Sequence, residues 1–227
     1  MSERRLIVLS GEAGSGKDAV AKILIEKFGY EKFELAAEMK TFVQRVFGWS
    51  DEQMYGASSA RNAPDPKWAR PCDNCEGTGY VIDYNGDRDS CAFCVKGKHN
   101  DNSPRRVLQL LGDEWARQMI HPDIWTMSSR ETIKQKLDAG VKLVVNSARF
   151  ANDRNNLHEW FGAKRVEVKG SPTKVKKNPD AEWRRHGSER CRPSDDEVEY
   201  VLMNEEAWPF HNLEEKVRTM CLGFGYG

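Results

Sequence analysis

Eight consecutive residues, Gly11-Glu12-Ala13-Gly14-Ser15-Gly16-Lys17-Asp18, set glycines, a lysine and a carboxylate at fixed spacing. Glycines so placed let successive backbone N–H groups converge on an anion, and a helix starting just behind them adds partial positive charge. The chemistry this serves is the gripping of a polyphosphate, with Lys17 reaching its terminal groups. The pattern G-x-x-x-x-G-K is a P-loop, whose eighth position ordinarily carries Ser or Thr with its hydroxyl on magnesium. Here that position is Asp18, a carboxylate able to hold Mg2+ directly or through water. The residues expected to bind ATP are Gly11, Ala13, Gly14, Ser15, Gly16, Lys17 and Asp18.

A second constellation is Cys72-x2-Cys75 and, after fifteen intervening residues, Cys91-x2-Cys94. This is the spacing of two metal knuckles joined by a hairpin, and four thiolates fill the tetrahedral shell of Zn2+ with no position left for water. The metal is therefore expected to be structural. His99 is the alternative to one of the cysteines, and free buried thiols are the alternative to a metal. Tyr80-Val81-Ile82 and Asn85-Gly86 predict the hairpin between the knuckles. Asp73, Glu76, Asp83, Asp87 and Asp89 make this stretch acidic, which disfavours binding to a phosphate backbone. Cys191 and Cys221 stand alone.

These groups need elements to position them. Leu6-Ile7-Val8-Leu9 predicts a buried strand feeding the glycine loop, and residues 18–28 predict a helix with Val20, Ile23, Leu24 and Phe28 on one face, capped by Gly29. A short strand is expected at 32–35 and a helix at 38–47, carrying Met39, Phe42, Val43, Val46 and Phe47 and stopped by Gly48. Prolines at 64, 66 and 71 and the clustered cysteines mark an insert. Helices follow at 105–120 and 125–137, then a strand at 141–145, a helix at 154–162, a strand at 165–168, a last strand at 201–203 and a helix at 213–220. Strands alternating with helices argue an α/β fold, a parallel sheet with helices on both faces. The expected organisation is a core in two parts, 1–66 and 102–227, around a small zinc-ribbon-like insert at 67–101. Between Lys164 and Arg192 stand ten Lys or Arg against four Asp or Glu, so a basic lid is expected at about 170–192. An ordinary solvated loop is the other reading of that charge.

Composition narrows the classes. Hydrophobic residues are 39% and charged residues 31%, polar for a globular enzyme but short of disorder. Lys plus Arg and Asp plus Glu each number 35, so no overall field draws the chain to nucleic acid or a membrane. The opening residues lead into only four strongly apolar ones, too few for a leader or a span, and the expected compartment is the cytoplasm. Six cysteines there point to metal or free thiols before disulfides.

Four further stretches follow the loop in order. They are Leu35-Ala36-Ala37-Glu38-Met39-Lys40; Arg105-Arg106-Val107-Leu108-Gln109-Leu110-Leu111-Gly112 with Trp125 downstream; Val144-Val145-Asn146-Ser147-Ala148-Arg149-Phe150; and His186-Gly187-Ser188-Glu189 followed by Asn204. With the P-loop, they make the chain resemble the bacteriophage deoxynucleoside monophosphate kinase family over nearly its whole length except the cysteine insert. The G-x-x-x-x-G-K-D loop alone is shared with animal phosphomevalonate kinases. The resemblance implies a P-loop kinase fold, a host cytoplasm if the chain is phage-encoded, and Lys40, Arg106, Gln109, Trp125 and Arg149 lining the acceptor nucleotide pocket. Two departures stand out. Family members commonly carry Asp where this chain has Ser147, and the Glu that often follows is Asp153, which moves weight for magnesium onto Asp18.

Phosphoryl transfer asks for positioning and charge neutralisation. An acceptor phosphate, with a second pKa of about 6, supplies its own nucleophile, so none of the five histidines is needed as a base. The cations expected around the transferred group are Mg2+, Lys17, Arg106, Arg149 and Arg184 or Arg185 from the lid. The implied reaction converts MgATP and a deoxynucleoside monophosphate to ADP and the diphosphate. The alternatives are a phosphomevalonate-kinase-like small-molecule kinase, an ATP-gated zinc-containing nucleic-acid-binding protein, and an inactive P-loop protein. ATP and a nucleoside monophosphate are the expected partners, nucleic acid is disfavoured, no membrane is expected, and a homodimer stays open.

Overall fold

The computed structural model describes residues 4–12, 14–92, 98–99 as backbone, 102–170, 193, 197–204 and 211–226, with His211 as backbone. The chain divides into two compact units, one of residues 1–37 with 115–227 and one of residues 38–114.

The first unit contains a five-stranded sheet. β1 (Leu6–Ser10) leads into α1 (Lys17–Phe28), and β2 (Tyr30–Phe33) follows after the left-handed Gly29 that caps α1. That early turn starts β2 at Tyr30, two residues before the expected strand, because Tyr30 at 3% exposure is the residue the core takes.

The second unit opens with α2 (Ala37–Phe47) and continues through the short α3 (Asp51–Tyr55) and α4 (Ser58–Asn62). A capping box starts α3: Ser50 Oγ accepts from the Gln53 N–H, and Gln53 Oε1 accepts from the Ser50 N–H. One 3-10 turn (Pro66–Trp68) precedes β3 (Arg70–Pro71), the β4 (Tyr80–Ile82) and β5 (Arg88–Ser90) hairpin, β6 (Lys98–His99) and α5 (Pro104–Gln109). β3 pairs antiparallel with β6, and β4 with β5. Val43, Trp49, Met54 and Val107 form this unit's core, with Phe47 stacked on Trp49 at 4.4 Å and tilted against Trp68 at 4.8 Å.

The sequence pattern at 105–120 predicts one α-helix. The structure has α5 followed by a π-helix (Leu110–Ile120), whose wider turn is continued by the His121 N–H bonding back to the Ala116 carbonyl. Hence Trp115 and Met119, expected on the apolar stripe of a 3.6-residue period, stand 49% and 77% exposed.

Back in the first unit come α6 (Ile124–Asp138), β7 (Lys142–Val145), α7 (Ala151–Phe161), β8 (Lys164–Lys169), β9 (Tyr200–Met203) and α8 (His211–Gly223). The sheet order is β2-β7-β1-β8-β9, all parallel, as alternation of strands and helices predicts. Side chains of β1 alternate between two cores. Ile7 and Leu9 join Val20, Leu24, Val217 and Met220, while Leu6 and Val8 join Ile133, Leu137, Leu157 and Phe161. Among the described residues no helix is long and apolar enough to cross a membrane.

At the sheet's far edge Glu199 Oε1 accepts from Arg165 Nη2 at 2.9 Å, and Oε2 accepts from the Arg165 N–H at 2.6 Å. Burial works to raise the Glu199 carboxyl, but hydrogen bonds and charge from Arg165 overcome it and leave it below 4.5. A carboxylate lowered in the folded state adds stability above its unfolded pKa and loses it as pH falls through the folded value. Glu199→Gln is expected to cost about 1 kcal/mol at pH 7 and to flatten the loss of stability below pH of about 4.5. Urea titrations of both proteins across pH 3 to 7 check this, and parallel acid limbs would contradict it.

Candidate active site

β1 is the central strand, and its C-terminal end opens directly into the glycine loop. Ser10 Oγ donates to the Val166 carbonyl at 3.0 Å, pinning the strand end to β8. At Gly11, φ is +136° and a Cβ would meet the Val168 carbonyl oxygen at 2.3 Å, so no larger residue fits this approach. The Lys17 ammonium folds back over the loop, donating to the carbonyls of Gly11 at 2.7 Å and Glu12 at 2.8 Å. Ser15 donates its N–H to the Glu12 carbonyl at 3.1 Å, while its hydroxyl is buried with no hydrogen-bond partner among the described residues. A loop of amides, an ammonium and an unsatisfied hydroxyl at a helix N-terminus is a donor set that suits phosphate oxygens.

Asp18, on the first turn of α1, is exposed, and its Oδ1 accepts from Asn146 Nδ2 at 2.7 Å. Asn146 directly follows β7, the strand beside β1, so two neighbouring strand ends meet here. Residue type alone assigns Asn146 no role of its own; its signal is a polar side chain immediately past a buried strand. Ser147 Oγ accepts from the Leu35 N–H at 3.2 Å, and Ser129 Oγ donates to the Leu35 carbonyl at 3.1 Å. Arg149 is exposed on the same connection, and its carbonyl accepts from Arg154 Nη1 at 2.9 Å. Trp125, on α6, is half-buried against the core of Leu6, Val8 and Leu35.

Lys40, Arg106 and Gln109 lie in the second unit. Lys40 Nζ sits 5.4 Å from the Tyr55 ring centre, and Arg106 Nη1 pairs with Glu114 Oε1 at 3.3 Å. Arg106 is on the first turn of α5, where its N–H donates to the Ser103 hydroxyl cap at 3.3 Å, and Gln109 is buried near the helix end.

In the same unit the sulfurs of Cys72, Cys75 and Cys91 converge, all within 4.8 Å of one another, with Cys72 and Cys91 at 3.9 Å. Thiolates around a tetrahedral zinc at about 2.3 Å stand about 3.8 Å apart, so the spacing fits. Gly79 N–H donates to Cys75 Sγ at 3.2 Å and Asn74 Nδ2 to Cys91 Sγ at 3.5 Å. Such donors stabilise sulfur as thiolate. The Asn85-Gly86 turn closes the hairpin as predicted, with Asp83 Oδ1 accepting from the Asn85 and Asp87 N–H groups at 2.9 and 2.8 Å.

No family model matches the chain. A protein of Acanthamoeba polyphaga mimivirus, provisionally named a deoxynucleotide monophosphate kinase, is 38% identical over 166 residues, covering 69% of this chain and 70% of that one. The deoxynucleoside-5′-monophosphate kinase of Escherichia phage T5 is 28% identical over 181 residues, 68% of this chain and 72% of its own. The chain belongs to the deoxynucleotide monophosphate kinase family. It is a nucleotide kinase, a phosphotransferase. A solved gluconokinase from Sinorhizobium meliloti 1021 superposes across 100% of this chain and 98% of its own with a TM-score of 0.46 at 13% identity, too loosely to bear on either conclusion.

The kinase buries the carboxylate of Asp153. Asp153 is 0% exposed, and both its oxygens accept from Arg117 Nη2, at 2.9 and 2.8 Å. Arg117 also lies over the Phe150 ring at 4.4 Å. Burial pushes the Asp153 carboxyl up, against the pull of Arg117. The expected site residues Ala13, Arg184 and Arg185, the fourth ligand Cys94, Cys191, the stretch 186–189 and the basic lid from 171 onward lie outside the described residues.

An inward pair of this kind braces the Phe150 connection. Arg117→Met leaves a carboxylate buried without its partner and is expected to destabilise the kinase by about 3 to 5 kcal/mol. Calorimetric melts check this; a change below about 1 kcal/mol would contradict it.

Proposed function

We propose that this nucleotide kinase transfers the γ-phosphate of MgATP to the phosphate of a deoxynucleoside 5′-monophosphate. An acceptor phosphate oxygen forms the new bond to the γ-phosphorus, the bond to the β–γ bridging oxygen breaks, and its electron pair leaves with ADP. The observation that carries this reading is the Lys17 ammonium seated on the Gly11 and Glu12 carbonyls inside an amide loop. Its support is 38% identity to a relative named for that substrate class.

The backbone of Gly11, Ala13, Gly14, Ser15 and Gly16 takes the phosphates of ATP, and Lys17 follows charge onto the β–γ bridge. Asp18, with Asn146 beside it, holds Mg2+, a cation that prefers oxygen ligands and, when bound, neutralises charge developing on the transferred group. Lys40, Arg106, Gln109, Trp125 and Arg149 receive the acceptor, with Arg184 and Arg185 supplying further positive charge. The acceptor phosphate is already dianionic near neutral pH, so no residue serves as a general base. Residues 67–101 form an insert within a core of 1–66 and 102–227, in which Cys72, Cys75, Cys91 and Cys94 hold a structural Zn2+.

A coupled turnover assay with ATP and each of the four deoxynucleoside monophosphates tests the reading, and absence of any diphosphate product sinks it. In that assay Lys17→Met is expected to lower kcat by about 10³ or more with an unchanged melt. For Asp18→Asn, a large fall in rate and a raised magnesium requirement are expected; a magnesium titration identical to the wild type would remove Asp18 from the metal.

The zinc proposal is checked by metal analysis. Protein purified without chelator is expected to contain about one zinc per chain, and Cys72→Ser to lose it. Hydrogen exchange in the β4–β5 hairpin should quicken with the loss. Metal-free wild-type protein with full hairpin protection would exclude a structural site.

A further inference from the structure

Asn204 stands immediately past β9, separated from the glycine loop by most of the sequence, yet its side chain touches that loop. It is 7% exposed. Its backbone N–H donates to the Lys169 carbonyl at 2.7 Å, which fixes it on the end of β8. Its Nδ2 donates to the Ser15 carbonyl at 2.9 Å, a buried bond spanning 189 positions. Gly16, next along, has φ +96°, and a Cβ there would lie 2.1 Å from that same nitrogen. Loop and amide are thus in van der Waals contact, and glycine at 16 is what allows the approach.

The Ser15–Gly16 peptide leads into Gly16, the residue that caps the N-terminus of α1. In a trans peptide the C=O and N–H point in opposite directions. Anchoring the Ser15 oxygen on Asn204 therefore turns the Gly16 N–H away from β9. The Gly16 carbonyl is occupied as well, accepting from the Val20 N–H at 3.0 Å as the helix begins. With both flanking carbonyls fixed, the Gly16 N–H can align with the first N–H groups of α1, which have no partner inside the helix. A peptide free to rotate would spend part of its time presenting an oxygen to an anion.

We propose that Asn204 is a positioning residue for the triphosphate: its amide orients the Ser15–Gly16 peptide so that the loop is set for ATP before ATP arrives. The proposal rests on the kinase reading above and adds a residue with no contact to substrate. It makes ATP affinity, and not acceptor affinity, the quantity that Asn204 controls.

Asn204→Ala and Asn204→Asp test it, with ATP binding measured by calorimetry in the absence of acceptor, both KM values by steady-state assay, and thermal melts. Alanine removes the donor and is expected to weaken ATP binding about tenfold, the worth of one buried hydrogen bond and a less ordered loop. The acceptor KM should stay within about twofold. Aspartate cannot donate to the Ser15 oxygen and adds negative charge beside the phosphates, so its ATP affinity should fall further than that of alanine. Wild-type ATP affinity in both variants overturns the proposal while leaving the kinase reading intact. So does an equal rise in both KM values accompanied by a lowered melt, since that marks Asn204 as packing for the sheet alone. Failure of the wild type itself to bind ATP removes the kinase reading and this inference together.

Discussion

The constraint on which the rest of this structure depends is that an anion must be met by backbone N–H groups held still. Amides cannot be moved one at a time. They point where the chain points, so a phosphate cradle requires a rigid strand entering it and a rigid helix leaving it. β1 and α1 supply both, and the strand chosen is the central one of the five. Its four apolar residues, Leu6 to Leu9, are at most 1% exposed, two on each face. The Lys17 ammonium rests on two carbonyl dipoles that carry no net charge.

Polar residues collect where the strands stop. Ser10 ends β1, Asn146 follows β7 and Asn204 follows β9, and each makes a hydrogen bond that ties one strand end to another element. This is the edge at which parallel α/β sheets leave room for ligands. Strand interiors cannot accept such side chains, because both faces are covered by helices and an unsatisfied amide there costs more than its bond returns. Chemistry is pushed to the C-terminal edge by the burial of everything else.

Much of this is visible in the sequence because it is local. The glycine loop, the Asn85-Gly86 turn and the alternation of strands with helices are each written within ten or so residues, as the backbone preferences of Gly and Asn are intrinsic to the residue. The capping box of α3 was equally legible, in Ser50 and Gln53, although no helix was expected there. What the pattern misled about was the π-helix. Apolar residues at 107, 108, 111, 115 and 119 suit a 3.6-residue period, but the wider turn leaves Trp115 and Met119 outside. What it could not reveal were pairings across long separations. Nothing near Arg117 announces Asp153, and nothing near Ser15 announces Asn204, since each bond exists only once the sheet has assembled.

Ser147 and Asp153 are both engaged inside the first unit. Ser147 uses a hydroxyl to hold the Leu35 N–H, and Ser129 donates to the Leu35 carbonyl on the other side of the same residue. Asp153, the acidic residue of the stretch, is turned inward onto Arg117 and braces the chain. That leaves Asp18 as an exposed carboxylate on the helix that begins at the glycine loop. Asn146 donates to one of its oxygens, an arrangement that orients the group. An amide in that position can direct a carboxylate without the repulsion that a second carboxylate would bring.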